Sequence, residues 1–405
     1  MISTMRTTTK FLATTAAAAA LLAGTGGPAL AGIPIGPITV SNPLKPDVGA
    51  IGACLTNAGI NHANEIPGLN IIIGSSGNDD FSADLTSGPD LICGGNGHDT
   101  IDLLMENDIF LGQGGRDTVQ TNLGTFRGGD GSDTVGLASD FDVPSPVYDR
   151  TGNFGYFDGE GGADRVSFNG PYLAGPKVID MNIQADLGGG DDLVLFNTGA
   201  AYGEAGNDTL ETNDGFFHGG NGDDNVDVQE GGYLGGDGDD TARYNGAGRL
   251  FEGGDGNDHV SYNDGTFDGG DGDDSVEDNL ETFNGGDGND HVDSNYATVN
   301  GGNGNDNVDS NLGTVNGGTG DDSMVTNHHN FHGGDGADSL DLNFGSFHGG
   351  DGNDYARVNY ALYLGEAGDD TLHTNKASGA FVGGSGTDRL VGENEGLAIE
   401  VEIFG

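Results

Sequence analysis

The sequence predicts an all-β chain: a right-handed parallel β-roll or β-helix solenoid with about 16 residues per coil. Three observations lead there. A glycine turn recurs at a nearly fixed step, apolar columns keep register with it, and the composition suits no ordinary globular domain.

Composition sets the first bound. Of 405 residues 80 are glycine, none is tryptophan, and 34% are apolar. Acidic residues outnumber basic ones 65 to 13, a formal charge of −52. A chain this polar and self-repelling stays disordered unless a repeat orders it or cations turn its carboxylates into ligands. The same charge excludes partners. Nucleic acid needs a basic footprint, and an anionic membrane surface would repel the chain.

Residues 1–31 read as a Sec-type signal peptide. Arg6 and Lys10 form the charged start, Phe11 through Leu22 the apolar stretch, and Ala29-Leu30-Ala31 a cleavage site before Gly32. The mature chain is therefore expected outside the cell. There the two cysteines, Cys54 and Cys93, are expected to bond, with two free thiols as the alternative. Residues 32–73 read as an N-terminal cap or linker, too short for a catalytic domain. Early coils follow over 74–137, with turns beginning at Gly74, Gly94, Gly112 and Gly128. The stretch 138–186 is irregular and carries Pro144, Pro146, Pro171 and Pro176, so it reads as loops inserted between coils, one of which starts at Gly159.

From 187 to 390 the repeat is regular. Turns start at Gly203, Gly219, Gly235, Gly253, Gly269, Gly285, Gly301, Gly317, Gly333, Gly349, Gly365 and Gly383. The step is 16 residues, except for coils of 18 from Gly235 and Gly365. One inward apolar column follows each turn (Val276, Val292, Val308, Met324, Leu340, Leu372). A second precedes it (Phe267, Phe283, Val299, Val315, Phe331, Phe347, Tyr363, Phe381). Each coil thus holds two short strands with one inward apolar residue apiece, and the residues between point outward. Asn263, Asn279, Asn295, Asn311, Asn327, Asn343, Asn359 and Asn375 mark the opposite turn and are expected to bond up and down the coils as an amide ladder. Leu280, Tyr296, Leu312, Phe344 and Tyr360 follow that column and are expected to close the core there. Residues 391–405 read as a C-terminal cap.

The turn itself, as in Gly269-Gly-Asp-Gly-Asp-Asp-Ser-Val-Glu277, resembles the nonapeptide of the hemolysin-type, repeats-in-toxin calcium-binding proteins. The resemblance runs from near Gly74 to near Leu390 and implies a β-roll loaded with several calcium ions, each shared between two turns. Carried over turn by turn, it assigns calcium to Asp99, Asp117, Asp133, Asp164, Asp192, Asp208, Asp224, Asp240 and Asp258. The assignment continues through Asp274, Asp290, Asp306, Asp322, Asp338, Asp354, Asp370 and Asp388. The chemistry agrees, since calcium takes six to eight oxygens from carboxylates and carbonyls, and glycines let a turn aim its carbonyls at one point. Asp237, Asp255, Asp271, Asp287, Asp335 and Asp351, at the third turn position, are expected to face water. The family's coil usually holds two nonapeptides. Most coils here hold one plus a seven-residue half, so calcium is expected along one edge only. Two core residues per coil cannot offset the entropy of ordering the rest, so calcium binding and folding should be coupled.

Other signals are weaker. His218, His332 and His348 share an outward column and His259 and His291 another, but no zinc set is complete at close spacing. No hydrolase, metalloprotease or phosphate-loop motif is present. The expected function is a secreted, calcium-stiffened structural or adhesive rod, with a cell-surface or matrix polysaccharide or protein as partner. The alternative is a polysaccharide-active enzyme or binding module with its site in the 138–186 loops.

Overall fold

The computed structural model of the chain describes residues 69–136, 151–170 and 183–403, with the backbone of Ile38–Val40, Leu173–Ala174 and Lys177–Val178. The expected signal peptide (residues 1–31), most of the 32–73 segment and Cys54 lie outside the described residues. Two compact units divide the chain, Met1–Tyr202 and Gly203–Gly405. Both are parallel β-solenoids, and no helix occurs among the described residues.

In the second unit each coil gives one strand to each of two parallel sheets. Thr282–Asp287 and His291–Asn295 form one coil, and Thr298–Asn303 and Asn307–Asn311 the next. Phe283 pairs with Val299 and Val292 with Val308, so residues one repeat apart lie over one another. The two longer coils keep this order: Asp237 pairs with Asp255 and Glu366 with Gly384. Their extra residues are taken up at the asparagine edge, where the turn after Asn245 reaches Leu250 before the next strand begins. Strands stay short because the glycine turn interrupts them. Gly286 and Gly288 stand at φ 122° and 148°, where a side chain would be strained.

The first unit uses the same plan with looser spacing. Ile71 pairs with Leu91, Leu91 with Ile109 and Ile109 with Thr125, so early coils are longer than later ones. The stretch 138–186 holds insertions between coils. Thr134–Val135 and Gly152–Asn153 both pair with the single strand Thr118–Asn122, the first with Thr118–Val119 and the second with Thr121–Asn122. The coil from Tyr156 to Val166 then resumes register, with Phe157 over Phe126. A second insertion separates Gly170 from Ile183. Most of both insertions lies outside the described residues.

Both apolar columns are inward. Phe267, Phe283, Phe331, Phe347, Tyr363 and Phe381, like Val276, Val292, Leu340 and Leu372, are at most 1% exposed. Their rings stack at about the coil rise: Phe331 on Phe347 at 5.0 Å, Phe347 on Tyr363 at 4.8 Å, Tyr363 on Phe381 at 4.7 Å. One apolar expectation fails. Tyr296 and Leu312 are 52% exposed, and Phe344 and Tyr360 are exposed too, so this column does not close the core. The reason is the residue before it. Asn295, Asn311, Asn343 and Asn359 fill the inside of that turn and leave the next side chain outside.

Candidate metal column

All seventeen aspartates from Asp99 to Asp388 point inward and are at most 5% exposed. They form a directional chain. The backbone N–H of one aspartate donates to Oδ1 of the aspartate one coil ahead. Asp274 N–H donates to Asp290 at 2.8 Å, Asp290 to Asp306 at 2.8 Å and Asp306 to Asp322 at 2.8 Å. The first unit repeats this from Asp99 to Asp117 at 2.8 Å, and on to Asp133 at 2.7 Å and Asp164 at 2.6 Å. One carboxylate oxygen is therefore satisfied in every turn of these runs.

The other is not. Oδ2 is buried without a hydrogen-bond partner in Asp99, Asp117, Asp133 and Asp164 of the first unit. The same holds in the second for Asp224, Asp240, Asp258, Asp274, Asp290, Asp306, Asp322, Asp338, Asp354 and Asp370. Each of these oxygens lies over the first glycine of its own turn. A Cβ on Gly301 would stand 1.9 Å from Asp306 Oδ2 and 2.5 Å from the carbonyl oxygen of Gly317, one coil on. A Cβ on Gly285 would meet Asp290 Oδ2 at 1.7 Å and the Gly301 carbonyl at 2.6 Å. The first glycine thus makes a cradle into which a carboxylate and the next coil's carbonyl converge.

The molecule supplies its own comparison. At three other aspartates Oδ2 does receive a donor. Asp79 follows Ser75 where the other turns place a residue at positive φ (glycine, or Gln113, Glu160, Glu204 and Glu366), and its Oδ2 accepts from the Ser75 N–H at 2.6 Å and its hydroxyl at 2.8 Å. On the opposite edge Asp90 Oδ2 accepts from the Thr86 N–H at 2.6 Å, and Asp108 Oδ2 from the Met105 N–H at 3.1 Å. Asp90 and Asp108 form a short second column, joined by the Asp90 N–H donating to Asp108 Oδ1 at 2.9 Å. Sequence reading missed them, because the early coils break the 16-residue step.

Electrostatics follow from this burial. Loss of solvent pushes the carboxyls up, against the lowering effect of the N–H each accepts, and neighbouring aspartates raise Asp240, Asp274, Asp290 and Asp322 further. Asp290 and Asp322 are pushed to about 7, Asp240 and Asp274 to about 8, and Asp306 to about 6. Carboxylates packed this way need a cation or a proton.

Around the column the expected placements hold. Asp237, Asp255, Asp271, Asp287, Asp335 and Asp351 are exposed. The fifth turn position does something the sequence did not disclose. Its side chain accepts from the N–H of the following coil, Asn305 N–H to Asn289 Oδ1 at 2.9 Å and Asp321 N–H to Asn305 Oδ1 at 2.7 Å. Outer and inner polar ladders therefore run in opposite directions along one edge.

The asparagine ladder is present. Asn295 Nδ2 donates to Asn311 Oδ1 at 2.9 Å, and Asn311 Nδ2 to Asn327 Oδ1 at 2.9 Å and to the Asn330 carbonyl at 2.8 Å. The first unit has its own, Asn122 to Asn153 to Asn169 to Asn197. Asn213 donates to Gln229 in place of an asparagine, and Asn245 Oδ1 is left without a partner where the longer side chain breaks the pattern. Truncating a middle rung should therefore matter. Asn311→Ala is expected to cost about 2–4 kcal/mol, since it strips partners from buried amides on both sides. Thermal melting with calcium in the buffer measures this, and a variant that melts with the wild type would show that the ladder adds nothing.

Among the histidines, His332 and His348 stack at 4.7 Å. His291 Nε2 meets Asp293 at 2.7 Å with Asp309 close by, a close-spaced trio that the sequence reading did not find. His291 is half-buried and both carboxylates are exposed, so the trio lies at the surface, with His291 and Asp293 hydrogen-bonded to each other. Cys93 is disulfide-bonded. No known protein family, curated protein or solved structure matches the chain.

Proposed function

We propose that the chain is a calcium-binding extracellular β-solenoid whose glycine-aspartate turns take up several ions and fold as they do so. The loaded solenoid then serves as a structural or adhesive surface. One observation carries this reading: buried Oδ2 atoms lack donors in the Gly-Gly-x-Gly-x-Asp turns, whereas Asp79, Asp90 and Asp108 are each given one. An unpaired buried carboxylate is too costly to keep. The donor set of carboxylates and glycine carbonyls is that of a hard cation, and calcium tolerates irregular oxygen geometry better than magnesium does. The aspartates from Asp99 to Asp388 would hold the ions, and the ions would supply the positive charge that the column lacks.

The resemblance of the turn to the repeats-in-toxin nonapeptide supports the same assignment. Export is supported by the pattern of residues 1–31 and by the disulfide at Cys93, which suits an oxidising compartment. No catalysis is assigned.

Far-UV circular dichroism during a calcium titration tests the proposal. In EDTA at pH 8 the chain should lack the β signal, and calcium at about 10⁻⁴–10⁻³ M should restore it, as for extracellular modules. Magnesium should do so poorly. A complete β signal in EDTA, unchanged by calcium, would sink the reading.

A further inference from the structure

Two residues of the second unit break the pattern of the inward aromatic column. Most coils place phenylalanine or valine there, but two place tyrosine, Tyr233 and Tyr363. Both side chains are buried, 1% and 0% exposed, and neither hydroxyl has a hydrogen-bond partner. Packing holds the rings in place. Tyr233 stacks on Phe251 at 4.4 Å and leans on Phe217 at 5.6 Å, while Tyr363 lies between Phe347 at 4.8 Å and Phe381 at 4.7 Å. The hydroxyls therefore cannot swing to solvent.

Each tyrosine stands two residues before the first glycine of its turn, so Tyr233 and Tyr363 share the inward strand face of Gly235 and Gly365, over which Asp240 Oδ2 and Asp370 Oδ2 lie. The carbonyls of Gly235 and Gly365 in turn border the cradles of Asp224 and Asp354, one coil back. Burial keeps both phenols neutral, each a donor with lone pairs to spare. Phenylalanine, used in the adjacent coils, would fill the same space without burying an unpaired hydroxyl. Packing thus gives no reason for the oxygen, and the column supplies one. The carboxylates of these turns, Asp224, Asp240, Asp354 and Asp370, have Oδ2 atoms that lack partners as the two hydroxyls do.

We infer that Tyr233 and Tyr363 belong to the cation column, each hydroxyl serving as a neutral oxygen partner of the ion held by the turns it faces, directly or through one water. This rests on the calcium reading above and deepens it. Two positions in the row, beside Asp224 and Asp240 and beside Asp354 and Asp370, differ from the rest in their ligands and so in their affinity.

The test uses the full chain with terbium(III) in place of calcium, and calcium calorimetry beside it. The chain has no tryptophan, so with excitation at about 280 nm, where phenylalanine does not absorb, tyrosine alone sensitises terbium emission. The variant Tyr233→Phe/Tyr363→Phe should fold in calcium, because it restores the residue of neighbouring coils. It should lose a large part of the sensitised emission, and two calcium sites should weaken roughly tenfold, the scale of a hydrogen bond to a charged group. Tyr355→Phe, an exposed ring next to Asp354, measures the contribution of mere nearness and should leave the calcium isotherm unchanged. A double-variant isotherm identical to wild type overturns the inference, whatever the emission does. If the wild type itself takes up neither calcium nor terbium, the calcium reading fails instead, and the two failures are told apart.

Discussion

Gly301→Ala is expected to abolish one cradle and split the cooperative melting of the solenoid. The backbone at Gly301 is not in the left-handed region, so alanine is conformationally allowed there. The obstacle is space, since the new Cβ would stand 1.9 Å from Asp306 Oδ2 and 2.5 Å from the Gly317 carbonyl. Backbone on both neighbouring coils is held by sheet pairing, which leaves the Asp306 carboxylate to move. That movement breaks its bond from the Asp290 N–H at 2.8 Å and takes a ligand from any ion shared with the next turn. A cost of about 3–5 kcal/mol is expected, the upper range for one substitution. Because coils in a solenoid contact mainly their neighbours, the damage should stay local and appear as two transitions in calorimetry. Calcium stoichiometry should fall by one or two.

The isosteric change Asp306→Asn isolates the charge. The amide keeps an oxygen for the Asp290 N–H and puts an uncharged donor where Oδ2 stood, beside the Gly317 carbonyl. It should stabilise the chain in EDTA and destabilise it in calcium. A change of the same sign in both conditions would count against a cation at this turn, and an unaltered Gly301→Ala melt would count against the cradle.

Much of this architecture was legible because a solenoid turns sequence period into spatial columns. Asp290 and Asp306 are one step apart in sequence and stacked in space, and the same holds for Phe331 and Phe347 or Asn295 and Asn311. Period does not say which way a column faces. Tyr296 and Leu312 recur with the same step as the true core, and only the burial of Asn295 and Asn311 puts them outside. Nor does period distinguish the fifth turn position from the sixth. Asn305 and Asp306 are adjacent polar turn residues, yet one bonds to the following coil and the other to the preceding one. Asp90 and Asp108 escaped notice because no glycine pair announces them. Tyr233 and Tyr363 read as core, as they are, but a hydroxyl's lack of a partner is visible only in three dimensions.

Acid should substitute in part for calcium. An aspartate in the unfolded chain titrates near 3.8, while Asp117, Asp224, Asp290, Asp322, Asp354 and Asp370 are pushed to about 7 and Asp133, Asp240 and Asp274 to about 8. The cause is first burial and then the charge of neighbouring aspartates. A folded-state value raised above the unfolded one means that the cation-free fold binds more protons than the unfolded chain. Its contribution to stability is therefore complete below about pH 4 and is lost as pH rises through 6 to 8. In EDTA the β signal should be strongest at about pH 4 and should disappear above about pH 8, the reverse of ordinary acid denaturation. Calcium inverts the slope. An ion must displace the protons to reach the carboxylates, so apparent affinity should rise steeply from pH 6 to pH 8, and binding near pH 6 should release protons. Calorimetry in buffers of different ionisation enthalpy counts them. An EDTA form most ordered at pH 8, or calcium binding at pH 6 that releases no protons, would show that the aspartates of the column are ionised without a cation, contrary to the burial on which their role depends.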